Sequence, residues 1–157
     1  MATFSTANRS AATVSADVDA VWDVLTDPDQ LARLTPFLHS VREEGEHWVW
    51  QLSKVPVLGA TFSFTFRERM DFDEPHRIDF THDPAPGDDE KAGVVGWYKL
   101  ASRPSGTHLE TSMQITVDLP FPGVVRPAVT AAMKGVIALM GQRFAHNLLA
   151  HLGANAR

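Results

Sequence analysis

The 157-residue chain has no cysteine, which excludes disulfide bonds, thiolate-held metals and a cysteine nucleophile. It has one tyrosine, Tyr98. Basic residues are few and scattered, 14 against 19 acidic ones, and the formal charge is -5. Phosphate recognition needs a clustered basic surface, so nucleic acid is not an expected partner. Long apolar runs are also missing. The most apolar stretch, Gly135–Gln142, is closed off by Lys134 and Arg143. It falls short of the ~20 residues of a membrane span, so no transmembrane segment is expected. Met1–Ser10 is polar and has no secretion-signal centre, which makes the Asn8-Arg9-Ser10 glycosylation pattern a chance match and the cytoplasm the expected location. No Gly-x-Ser-x-Gly elbow and no phosphate-cradling glycine loop occur.

The seven histidines form no ligand set. His76 and His82 lie roughly 20 Å apart along one strand. His146 and His151 point in different directions on a helix. No metal and no cofactor is expected.

What is present is ordinary globular composition, 44% hydrophobic and 21% charged, enough for a single domain over residues 1–157. Ala2–Val14 reads as a strand. Asp17 offers a helix N-cap, and Val18, Val21, Trp22 and Leu25 share one helical face. Asp27-Pro28 starts a second short helix with Gln30 completing a capping box, and Thr35-Pro36 stops it. From Phe37 the period becomes two. His47–Leu52 alternates with Trp48, Trp50 and Leu52 on one face, and Lys54–Gly59 reads as a turn.

Ala60–Phe72 is the clearest strand: Phe62, Phe64, Phe66, Met70 and Phe72 share one face, with Arg67 and Arg69 on the other. His76–His82, Gly93–Ser102 and Thr107–Leu119 follow as strands, separated by a polar loop at Asp83–Ala92 and a turn at Arg103–Gly106. Short turns imply antiparallel pairing, and one apolar face per strand implies a sheet covered on one side. A helix of about Val124–Leu152 carries the stripe Val129, Met133, Val136, Met140, Phe144, Leu148. The expected fold is α+β: a curved antiparallel sheet of six or seven strands wrapped around this helix, with two short helices after the first strand.

A curved sheet and a straight helix touch poorly at the ends, so space is expected between them. The candidate lining is Trp48, Trp50, Phe62, Phe64, Phe66, Ile78, Phe80, Tyr98, Met113, Met133, Met140 and Phe144, each of which could equally be plain core. Tyr98 falls inward and could anchor a polar end of the guest, with His82 beside it. Gly135 and Gly141 allow either close contact with the sheet or room for a guest. The mouth is expected among the short helices, Lys54–Gly59 and the Asp83–Ala92 loop.

Val14-Ser15-Ala16-Asp17-Val18-Asp19-Ala20-Val21-Trp22-Asp23-Val24-Leu25-Thr26-Asp27-Pro28, with Gly106-Thr107-His108-Leu109 and the terminal helix bearing Gly141 and Phe144, resembles the START-like, helix-grip (SRPBCC) superfamily of polyketide cyclases, dehydrases and lipid-transport proteins. The resemblance implies a pocket for lipids, isoprenoids, quinones or polyketides, held by a monomer or homodimer. Three roles stay open. The first is non-catalytic binding or carriage of a small hydrophobic molecule. The second is an aromatase/cyclase, for which the resemblance implies an inward arginine and a tyrosine. The third is an interaction module touching a membrane or a partner through Leu119–Val125 and Val55–Leu58.

Overall fold

The computed structural model describes residues 2–153. Its elements are β1 (Ala2–Val14), α1 (Val18–Leu25), α2 (Pro28–Leu34), β2 (Leu38–Glu44), β3 (His47–Val57), β4 (Ala60–Asp73), β5 (Arg77–His82), β6 (Ala92–Arg103), β7 (Gly106–Leu119) and α3 (Arg126–Leu152), with one 3-10 turn at Gly123–Val125 before α3. The seven strands form one antiparallel sheet in the order β1-β7-β6-β5-β4-β3-β2. β1 and β2 are successive strands yet lie at opposite edges. The α1–α2 segment carries the chain between those edges. This is the helix-grip arrangement the sequence implies.

The short helices form for local reasons. Val21, Trp22, Val24 and Leu25 of α1 are buried, while Asp17 occupies the N-cap without a side-chain capping bond. Asp27 does cap α2: its Oδ1 accepts from the N–H of Asp29 (3.1 Å) and Gln30 (3.3 Å). Gln30 Nε2 donates to the other Asp27 oxygen, while its Oε1 does not accept from the Asp27 N–H, so only half of the expected capping box is made.

Two expectations need correction. Lys54–Gly59 is not a turn. β3 continues to Val57 past a bulge between Leu52 and Val55, where Lys54 takes φ 57°, and the turn is confined to Leu58-Gly59. Pro56 is tolerated because β2 pairs with β3 only as far as Leu52, leaving the strand unflanked on that side. The absence of a span-length apolar helix also fails. Gly123–Leu152 has a window of mean hydropathy 1.4, long and apolar enough to cross a membrane, and only 11% of that window is buried. Lys134 and Arg143 interrupt the apolar run without lowering the mean enough.

Gly106 and Thr107 tie the two ends of the opening motif together. Gly106 has φ 137°, and a side chain there would overlap the Val14 carbonyl oxygen. Thr107 is fully buried and its hydroxyl donates to the Ala16 carbonyl at 2.7 Å. The start of β7 is thereby fixed to the chain entering α1.

At 27 residues, α3 is about 40 Å long. Its contacts are chiefly with β1, and also with β3 and α2. At its start, Val129 and Met133 pack with Phe4, Phe66, Val117 and Leu119. Towards its end, Phe144 and Leu149 pack on a second cluster containing Trp22, Leu31, Trp48, Ile78 and Phe80, and Asn147 Nδ2 donates to the Leu34 carbonyl at 2.9 Å. The helix is held at both ends.

Candidate functional site

The poor contact expected at the helix ends is not found; the helix is packed near its ends and unburied between them. The fully buried residues of α3 are Val129, Met133 and Leu148. From residue 134 to residue 147, about 20 Å of helix, no side chain is buried. Val136, Met140 and Phe144, half of the predicted stripe, are only half-buried.

The inward sheet face opposite is aromatic. Trp50 stacks parallel to Phe66, with centroids 6.4 Å apart, and meets Trp48 at 5.9 Å. Phe62 packs on Phe64 and edge-on against Phe121. Phe80 and Tyr98 lie 5.2 Å apart. The twelve candidate lining residues separate by burial. Trp48, Phe66, Ile78, Phe80 and Met133 are packed into the two clusters. Trp50, Phe62, Phe64, Tyr98, Met113, Met140 and Phe144 retain accessible surface. Trp50 touches both clusters and so spans the interval between them. Phe72, expected inward, sits at the sheet end, 47% exposed, against Trp22 and Trp48.

One residue of this face escaped the sequence reading. The alternation that places Phe66 and Met70 inward also places Glu68 inward, and it is 2% exposed. In register it lies directly opposite Trp48 on β3. Its Oε2 has no hydrogen-bond partner in the protein, and the indole Nε1 of Trp50 and the hydroxyl of Thr6 are likewise sealed from solvent and unpartnered. Burial pushes the Glu68 carboxyl well above the usual carboxylate range. Burial, and then the nearby Glu68 charge, push the Tyr98 phenol far above its ordinary value. The carboxyl and the phenol therefore lie within electrostatic reach of each other.

The Glu68 shift has a consequence for stability. A carboxyl with a raised folded-state pKa is held protonated by the fold. The native state then binds more protons than the unfolded one between the two pKa values. Stability is full below about pH 4, the unfolded value, and falls as pH rises towards the folded one, by up to about 1.4 kcal/mol per pH unit. Glu68→Gln is expected to remove this fall, matching the parent near pH 4 and exceeding it in alkali. Urea unfolding across pH checks this; parallel curves would mean that Glu68 is ionised in the fold.

His82 does not join Tyr98. Its Nε2 lies 2.8 Å from Glu90 Oε1, and its ring fills the space that a side chain at Gly93 would need. Glu90 Oε1 also accepts from the Arg67 N–H, Arg67 Nε donates to the Asp83 carbonyl, and His47 Nε2 is 2.8 Å from Asp83 Oδ2. The hydrogen bond to His47 holds the Asp83 carboxyl below the usual range. This network pins the Asp83–Glu90 loop where β5 stops short of the ends of β4 and β6. Arg67 and Arg69 stay on the outward face, and the β3–β4 pairing is regular through both, its bulge lying beyond Leu52.

The expected mouth does not form as one opening. α2 lies at the C-terminal end of α3, whereas the β3–β4 tip lies near Phe121 and Val125 at the other end. Gly135 and Gly141 are exposed, with nothing within 4 Å of a would-be Cβ, so neither serves close contact with the sheet. Two surface hollows lie outside the inner face. One of about 330 Å3 sits on the outer sheet face among Arg77, Lys99, Arg103 and His108. One of about 300 Å3 is lined by Arg33, Pro36, Leu139 and Arg143, where α2 meets α3.

The sequence profile described as polyketide cyclase / dehydrase and lipid transport matches residues 4–153. Among solved structures, the di-domain aromatase/cyclase StfQ from the steffimycin biosynthetic pathway superposes with TM-score 0.68 at 14% identity, covering 96% of this chain and 51% of that one. The chain thus spans about half of that protein's length. The Zhui aromatase/cyclase from Streptomyces sp. R1128 gives 0.65 at 16% identity, covering 95% and 94%. A START superfamily protein from Mycobacterium smegmatis gives 0.63 at 12% identity, covering 95% and 97%. At such identities the likeness carries the fold alone. No curated protein matches in sequence.

Proposed function

We infer, from the premise that the chain belongs to the polyketide cyclase / dehydrase and lipid transport family and so to the START-like superfamily, that it holds a small hydrophobic molecule between the inner sheet face and the middle of α3. One observation carries this reading. The helix is buried at Val129, Met133 and Leu148 and nowhere from residue 134 to residue 147, and Trp50, Tyr98 and Met113 of the inner sheet face are likewise only partly buried. A guest there would remove apolar surface from water on both walls at about 25 cal/mol per Å2. The hollow between α2 and α3 is the natural way in, because Leu139 and Arg143 on its rim belong to the same unburied stretch.

Native mass spectrometry of freshly purified protein, with solvent extraction of whatever it carries, tests the proposal. The expected result is a bound apolar compound lost on extraction. Protein that is always empty and takes up no added apolar compound would overturn it.

The aromatase/cyclase reading draws support from one feature, a buried carboxyl, Glu68, whose charge is felt by the Tyr98 phenol. The inward arginine implied by the family resemblance is missing from the described residues. That reading requires turnover of a poly-β-keto surrogate that is lost in Tyr98→Phe, and carriage does not.

A further inference from the structure

The interior has an unbalanced hydrogen-bond inventory. Trp50 Nε1 is a donor only, and it is sealed from solvent without an acceptor. The Thr6 hydroxyl is sealed and unpartnered too. Glu68 is 98% buried, and one of its oxygens has no partner. A protonated carboxyl adds a further donor. Thr6 and Trp50 lie on β1 and β3, the strands that α3 packs against, and Glu68 is buried on β4 directly opposite Trp48 of β3. The buried polar side chains are Thr6, Glu68 and Thr107, so no arginine, lysine or histidine is buried among the described residues. The buried interior offers hydrogen-bond donors and no positive charge; the arginines Arg33 and Arg143 stand outside it, at the α2–α3 hollow.

We propose that the molecule held in this site is a neutral, oxygen-bearing apolar compound, such as a ketone, quinone or ester, whose oxygen accepts from Trp50 and Glu68, and that the site excludes carboxylates such as free fatty acids. This rests on the binding reading above and narrows it. A hydrocarbon would leave Trp50 Nε1 unpaired. A carboxylate would enter beside Glu68 with no cation to meet it, and a buried unpaired charge is strongly disfavoured. A neutral carbonyl satisfies the donors at no charge cost.

Equilibrium dialysis against three compounds of nearly one shape tests this: 2-acetylnaphthalene, 2-ethylnaphthalene and 2-naphthoate. The ketone is expected to bind about five- to tenfold more tightly than the hydrocarbon, and the carboxylate more than ~30-fold more weakly than the ketone. Trp50→Phe keeps the aromatic stack and removes the N–H. Glu68→Met keeps length and removes the acid. Each should bring the ketone-to-hydrocarbon ratio towards one, and Glu68→Met should also admit 2-naphthoate. If one variant fails to fold, the other and the parent's own ranking still decide. Equal binding of all three compounds by the parent overturns the inference and leaves the binding reading intact, as would be seen if water satisfies these groups. Tightest binding of 2-naphthoate also overturns it. Uptake of none of the three removes both.

Discussion

Phe4→Ala is expected to destabilise the protein by about 3–5 kcal/mol, a large part of the 5–15 kcal/mol typical of a folded chain. Phe4 has no solvent exposure and stands opposite Val117 on β7, packed with Leu119, Val129 and Met133. The Arg126 guanidinium lies 4.7 Å above its ring and donates to the Thr3 carbonyl at 2.6 Å. One side chain thus joins the β1 edge to the first turns of α3. Since the helix is buried only near its two ends, losing this contact frees the wall opposite the aromatic face. Urea unfolding measures the loss, and ligand retention should fall with it. A cost below about 1 kcal/mol would show that the helix is not anchored here.

That anchor was legible in the sequence only in outline. The long strands β4 and β7 announce themselves by period-two alternation over 14 residues each. The 27-residue α3 announces itself by length and composition. β2 has seven residues with a charged end, Arg42-Glu43-Glu44, and gives too few repeats to stand out. The bulge at Lys54 left no sign, because nothing in a lysine foretells a positive φ, while Pro56 and Gly59 suggested a turn. The stripe on α3 was correct as a pattern but not as a packing statement: the helix is buried near its ends, at Val129, Met133 and Leu148, and not through its middle, the reverse of the loose ends expected of a straight helix on a curved sheet.

Glu68 is the instructive miss. Parity alone places it between Phe66 and Met70 on the inner face. Counting only apolar residues along that face passed over the one charged residue in it. A lone acid in an apolar row is informative because it must be neutralised, paired or hydrogen-bonded. Tyr98, by contrast, followed directly from its inward position. The loop network of His47, Asp83, His82 and Glu90 includes a bond between residues 36 apart in sequence, and no local pattern points to it.

The same chemical change should have opposite signs at two glycines. Gly96 lies on β6 between Phe80 and Met113 in register. A methyl group there would overlap the Ser112 carbonyl oxygen and come within 2.9 Å of Phe80 Cε2. The carbonyl belongs to the backbone of the β6–β7 ladder and cannot rotate away as a side-chain tip could. Gly96→Ala is therefore expected to cost at least about 1–3 kcal/mol. It should also displace Phe80, the ring that supports Tyr98 at 5.2 Å, and so weaken ligand retention. Gly135 lies in α3 with nothing within 4 Å of a would-be Cβ. Gly135→Ala should stabilise the helix by about 0.5–1 kcal/mol and leave binding unchanged. Paired urea titrations decide it: equal effects would mean that β6 has room beside Ser112, and a loss at Gly135 would mean that α3 sits closer to the sheet than its unburied middle implies.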